Sequence, residues 1–230
     1  MIELLVPEAS TYARDIDWLF TSIFLTVGFW FLLAQAVFFW LLFRFRRRDG
    51  VPAQYITGEE KAEKKWISIP HALVIVCDVF LIAATVMVWR NVKQVLPPAD
   101  ETVRIIGQQW AWTFVHPGPD KQFGTDDDVT EVDELHVKSG AVYHFELTSK
   151  DVLHSFSVPV FRLKQDAVPG RVITGWFTPT VTGTYDIQCA EICGIGHALM
   201  PGRITIETPD QHAAWMAANS NLAVASATAR

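Results

Sequence analysis

The chain has 230 residues, a formal net charge of −6 and 50% hydrophobic residues, including 15 Phe and 9 Trp. That hydrophobicity excludes a disordered chain, and 3 Cys are too few for a disulfide-stapled mini-protein. The negative charge argues against a nucleic-acid binder, which needs a basic face.

Residues 18–43 form a run of 26 without a charge. About 20 apolar residues span a bilayer as a helix. A cleaved signal peptide fits poorly: the run is too long, Asp15 and Asp17 precede it, and Arg residues follow it. Residues 71–89 form a second run, broken by His71 at its start and by Asp78. Trp40 and Trp89 stand where indoles anchor helices at an interface. Asp78 is an ionisable group at membrane depth. With no relay visible beside it, its plain reading is contact with a partner protein.

The segment between the runs sets the orientation. Residues 44–65 carry seven Lys/Arg against four Asp/Glu, and basic short loops stay in the cytoplasm. Residues 91–230 carry 10 Lys/Arg and 16 Asp/Glu, the full −6 of the chain. The expected order is an outer N-terminal segment over 1–17, a transmembrane helix over 18–43 and a cytoplasmic loop over 44–70. A second transmembrane helix over 71–90, a β domain over 91–208, and a short helix with a frayed tail over 209–230 complete it.

From Thr102 short alternating strands follow, separated by Gly, Pro, Asp and Ser: VRIIGQ, WAWTFV, ELHVK, VYHFELTS, FSVPVF, VITGWFT, TYDIQC and RITIET. This spacing without helices predicts an antiparallel sandwich or barrel. Its chemistry belongs on loops that the strands hold still.

One loop carries that chemistry. Cys189, Cys193, His197 and Met200 are spaced C-x3-C-x3-H-x2-M, with Glu191 between the cysteines. Two thiolates, an imidazole and a thioether are a soft set that suits copper, and two Cys suffice to bridge two ions. His154, just after a strand, is the candidate second imidazole, with His144 as competitor. A zinc site of two Cys and two His is the alternative, but Met200 is a poor zinc ligand. A Cys189–Cys193 disulfide is another alternative in an oxidising compartment. Cys77 reads as packing. No C-x-x-C-H occurs, so no haem is attached to this chain.

With these residues in view, the chain resembles subunit II of the haem-copper cytochrome c oxidases, over nearly its whole length. The resemblance implies a two-helix transmembrane hairpin and an all-β cupredoxin domain, a Greek-key sandwich, with a binuclear CuA centre. Cys189 and Cys193 would bridge both coppers. His154 and Met200 would complete one ion, and His197 and the Glu191 carbonyl the other. The Glu191 side chain would face a magnesium ion shared with subunit I. Trp110, in Gly107–Trp112, matches the residue that takes the electron from cytochrome c. Gln108 and Ala111 depart from the family's His and aromatic there. Residues 163–171 resemble a loop lying against subunit I near the haem propionates. Glu63, in the segment 63–70, resembles a residue at the mouth of a proton channel; an ordinary solvated charge is the alternative. The setting implied is a bacterial cytoplasmic membrane, with both termini and the copper domain outside.

The function implied is the electron-accepting subunit of a proton-pumping oxidase, oxygen being reduced in subunit I. A nitric oxide reductase subunit, a copper-free quinol oxidase subunit and a copper carrier are the alternatives. The intact ligand set opposes the quinol oxidase, and the hairpin opposes the carrier. Residues 120–134 hold seven Asp/Glu against Lys121 alone. They read either as a solvated loop or as a docking patch for a basic cytochrome c.

Overall fold

The structure, a computed structural model, describes residues 4–52 and 56–228, with side chains in the last helix described as far as Ser220. It divides into a hairpin unit, 17–90, and a β unit made of 1–16 and 91–230.

The hairpin unit holds α1, Ala13–Arg44, from Asp17 onward, and α2, Lys61–Trp89. Both are long and apolar enough to cross a membrane. Ala84 is buried on α2, while most large apolar side chains on both helices are exposed. A soluble core helix would bury them, so their solvent is lipid or another protein. Hydroxyls inside α1 return to their own backbone: Thr21 donates to the Asp17 carbonyl at 2.8 Å and Ser22 to that of Trp18 at 2.9 Å. Apolar surroundings demand this. The Trp30 indole N–H reaches the Cys77 sulfur at 3.4 Å, so Cys77 is an acceptor as well as a filler. Asp78 lies on an exposed face of α2.

Helix bounds differ from the expected segments. Residues 13–17 are already helical, and so are 61–70, expected as loop. Hydropathy marks where a helix meets lipid, whereas Lys, Ala and Glu at 61–65 extend it through intrinsic propensity. Pro70 is tolerated inside α2. Residues 53–55 of the expected loop lie outside the described residues.

Among the described residues the β unit has ten strands: β1 Glu101–Gln108, β2 Ala111–His116, β3 Val129–Val132, β4 Glu134–Lys138, β5 Tyr143–Ser149, β6 His154–Val158, β7 Leu163–Ala167, β8 Ile173–Phe177, β9 Gly183–Cys189 and β10 Gly202–Glu207. Two five-stranded sheets run β3-β2-β1-β5-β8 and β4-β10-β9-β6-β7. β1 pairs parallel with β5 and β4 with β10, where an antiparallel sandwich or barrel was expected. The strands alternate buried and less buried residues, as in β5. Phe114, Phe145, Phe156, Phe161 and Phe177 meet between the sheets without exposure. Full burial of such a side chain contributes about 1.5–3 kcal/mol.

The N-terminal segment is strapped to this unit. The Ala9 N–H donates to the Val160 carbonyl at 2.8 Å, and the Thr180 N–H to the Ala9 carbonyl at 2.9 Å. Tyr12 buries its ring edge-on to Trp176, and burial raises its phenol pKa.

The expected short helix and frayed tail give way to one helix, α3, Pro209–Thr228. Its Ala-rich sequence is a strong helix former; Ala229 and Arg230 lie outside the described residues. Thr208 and Gln211 start it with a capping box: the Gln211 N–H donates to the Thr208 hydroxyl at 3.3 Å, and the Thr208 N–H to the Gln211 side chain at 3.0 Å. Trp215 then stacks on His136 at 4.3 Å, with His116 edge-on at 5.3 Å. Glu207 accepts from His136 and His212, each at 3.0 Å.

Burial first, then His212 on α3 and His136 on β4, push the His116 pKa down to about 3. A neutral imidazole in the fold means that the unfolded chain takes up the proton first. Stability is therefore complete above about pH 6.5 and falls toward pH 3, by at most about 1.4 kcal/mol per pH unit for this group. The unfolding midpoint, followed by near-ultraviolet circular dichroism, is expected to drop across that window. His116→Phe is expected to flatten the drop, and an equal slope in both proteins would refute the assignment.

Candidate metal centre

Two distant segments meet at one end of the sandwich. Phe156 on β6 lies opposite Cys189 on β9, and the Ala190 N–H extends the pairing to the Ser155 carbonyl at 2.9 Å. This register sets His154, the first residue of β6, beside Cys189, the last of β9. The chain then turns back through Gly194, at φ +123°, where a side chain would be strained. The His197 N–H to Gly194 carbonyl bond and the Leu199 N–H to Gly196 carbonyl bond close the loop before β10.

The predicted donors converge. The Cys189 and Cys193 sulfurs are 3.8 Å apart, too far for a disulfide, whose bond is about 2.05 Å. Cys189 Sγ lies 3.9 Å from His154 Nδ1 and 3.3 Å from the Glu191 carbonyl. Cys193 Sγ lies 3.6 Å from His197 Nδ1 and 3.9 Å from Met200 Sδ. His154, Cys193 and Met200 are buried; Cys189 and His197 are partly so. The competitor His144 is engaged elsewhere, its Nε2 2.7 Å from the Pro97 carbonyl. Burial, with Cys189 alongside, pushes the Cys193 thiol up to about 11. Two thiols, two imidazole nitrogens, a thioether and a carbonyl facing a common space form a donor set that fits soft metal ions. Among the described residues, His154, Cys189 and Cys193 form the one His/Cys/carboxylate group close enough to hold an ion.

Trp110 belongs to this site. Its indole, 37% exposed, lies on the ligand loop. A methyl group at Gly196 would come within 2.3 Å of the ring, and one at Gly194 within 3.3 Å. The neighbouring Gln109 side chain donates to the Cys193 carbonyl at 2.8 Å.

Sequence reasoning missed Asp151. Its Oδ1 is 2.8 Å from His154 Nε2, and its Oδ2 accepts the Gln109 main-chain N–H at 2.7 Å. Burial opposes the charge, but bonds from His154, Gln109 and Val152 outweigh it and hold the carboxyl below its ordinary pKa. The D-x-x-H spacing of 151–154 was the available signal, because a ligand His commonly gives its other N–H to a carboxylate.

Glu63 lies in the hairpin unit, in the first turn of α2, where it accepts the Gly58 N–H at 2.8 Å. The Glu191 side chain is half-buried. Within the acidic loop, Asp120 accepts from the Gln122 N–H, Asp128 from the Gly124 N–H and Asp127 from the Thr125 hydroxyl. The loop is folded on itself, and Phe123 lies beneath the Arg104 guanidinium at 4.3 Å.

Comparison with known proteins decides the family. The family model for the periplasmic domain of cytochrome c oxidase subunit II matches residues 101–208. Over 228 residues the chain is 33% identical to the alternative cytochrome c oxidase subunit 2 of Bradyrhizobium diazoefficiens, across 87% of this chain and 80% of that protein. The chain belongs to the cytochrome c oxidase subunit II family. Cytochrome c oxidase subunit 2 of Cereibacter sphaeroides is 29% identical, across 91% of this chain and 78% of that protein. The crystal structure of the periplasmic domain of oxidase subunit II from Bradyrhizobium japonicum superposes with a TM-score of 0.50 at 29% identity, covering 55% of this chain and 98% of that one. The chain is thus the electron-accepting subunit of a cytochrome c oxidase, anchored by apolar helices and partnered by other oxidase subunits. Family membership implies copper, and the donor cluster can hold metal.

Gly196→Ala is expected to displace Trp110 and to destabilise the β unit by about 1–3 kcal/mol, the usual effect of overpacking. Denaturant unfolding measures this; an unchanged midpoint would mean that the indole is not held on the loop.

Proposed function

We propose that His154, Cys189, the Glu191 carbonyl, Cys193, His197 and Met200 hold a binuclear copper centre through which the oxidase receives its electrons. The convergence of six donors within 4 Å steps around two unbonded sulfurs carries this reading. Two coppers held by the Cys189 and Cys193 thiolates would supply a shared one-electron store. His154 and Met200 would serve one ion, and His197 and the Glu191 carbonyl the other. The chain holds these donors on a rigid sandwich, so little needs to rearrange when an electron arrives.

Trp110 is the point at which the electron comes in, being both exposed and in contact with the ligand loop. The donor is cytochrome c, guided by the acidic outer domain. The acidic loop supports this, and so does a groove beside Pro201 in which Asp133, Glu134 and Asp186 outnumber Arg203. The electron would pass on to a haem in subunit I. By the family resemblance the Glu191 side chain would face a magnesium ion shared with that subunit, and Glu63 would serve the mouth of a proton channel.

Both helices cross the bacterial cytoplasmic membrane, with the β unit and both termini on the outer side. The strap from Ala9 to Val160 and Thr180 supports a shared side for the N-terminal segment and the β unit, and the basic segment 44–65 supports the cytoplasmic side for the connection between the helices.

Copper loading of the full chain tests the centre. The expected result is two coppers per chain and an EPR hyperfine pattern shared equally between them, lost in His197→Asn and Cys193→Ser. A single-copper pattern in the unsubstituted chain would overturn the assignment. Donor docking is tested by ionic strength. The rate constant for a basic c-type donor is expected to fall steeply between about 0.01 and 0.15 M salt, as the Debye length shrinks from about 30 Å to 8 Å. A salt-independent rate would remove the electrostatic part of the reading.

A further inference from the structure

Asp151 lies in the turn between β5 and β6, with its side chain about one-third exposed. Oδ1 takes the His154 Nε2–H at 2.8 Å and the Val152 main-chain N–H at 2.6 Å, while Oδ2 takes the Gln109 main-chain N–H at 2.7 Å. Each contact has a consequence. A carboxylate accepts only, so the proton of a neutral His154 belongs on Nε2 and its lone pair on Nδ1. Nδ1 is the atom that faces Cys189 Sγ. The Gln109 bond holds the β1–β2 turn, from which Gln109 reaches the Cys193 carbonyl and Trp110 covers Gly194 and Gly196. One side chain therefore joins the turn bearing Trp110 to the strand bearing His154, and Gln109 and Trp110 carry that link on to the ligand loop.

We propose that Asp151 is a positioning residue for electron transfer: one oxygen sets the tautomer and heading of His154, and the other holds Trp110 against the ligand loop. This rests on the copper reading above. The competing view is that Asp151 is a surface acid adding charge to the donor's docking face.

The test uses the full chain in detergent, with Asp151→Asn, Asp151→Ala and Asp151→Glu. In the metal-free protein, 15N NMR of the imidazoles is expected to show His154 as the Nε2–H tautomer and to show a mixture in Asp151→Ala. This arm does not depend on copper. In the copper-loaded protein, loss of the carboxylate is expected to raise the reduction potential, because a negative charge beside the centre favours its more positive, oxidised form. Copper affinity is expected to fall about 10–100-fold, the usual effect of removing a ligand's hydrogen-bonded carboxylate. Asp151→Glu is expected to recover part of both, which a general folding defect would not do. Asp151→Ala with unchanged tautomer, potential and copper affinity, but slower and less salt-sensitive reaction with a basic donor, would overturn the proposal in favour of a docking charge. An unsubstituted chain that fails to bind two coppers would refute the copper reading, while the tautomer arm would still decide the role of Asp151 toward His154.

Discussion

Phe156 and Cys189 lie opposite each other in the β6–β9 pair, and the donor cluster depends on that register. Side chains alternate along a strand, so a slip of one residue would send His154 and Cys189 to the wrong faces. The aromatic core guards against it. Phe156 packs against Trp112, Phe114 and Phe145, and moving it out would expose a ring that the two sheets enclose. Apolar packing around the donor cluster thus determines which nitrogen meets which sulfur.

The ligand loop separates its side chains by chemistry. Cys193 and Met200 point inward and are buried, while Ile192, Ile195 and Leu199 are 81%, 95% and 79% exposed. Single exposed apolar residues are ordinary; three on one short loop around a metal-binding set are not. They suit a domain that works inside a larger complex, as membership of an oxidase subunit family requires. The hairpin tells the same story on a larger scale, with two apolar helices burying almost nothing within their own chain.

Much of this was readable before any coordinates. The uncharged run over 18–43 and the C-x3-C-x3-H-x2-M spacing are local patterns, and local patterns survive in sequence. Eight of the ten strands declared themselves by alternation. The two that did not are β3, four residues flanked by acids, and β7, whose buried Leu163 and Ala167 are separated by Lys164, Gln165 and Asp166. The parallel pairings were hidden, because strand order is a property of long-range contacts. Asp151 was only half hidden: the D-x-x-H spacing links it to His154, but its bond to the Gln109 N–H is a long-range contact that the sequence does not show. The length of α3 was underread because Ala and Ser resemble a loose tail until a capping box at Thr208–Gln211 and a stacked Trp215 hold the helix's start.

The strap at Ala9–Thr11 closes a long loop. Its hydrogen-bonding partners, Val160, Phe161, Thr178 and Thr180, lie some 150 residues further along the chain, and both apolar helices lie between them in sequence. Bringing such distant segments together costs entropy that grows only slowly with loop length, so the inserted helices add little to that cost. The strap nevertheless cannot form until its partners exist, so a chain cut before residue 160 leaves Ala9–Thr11 without the carbonyls and N–H groups that hold it.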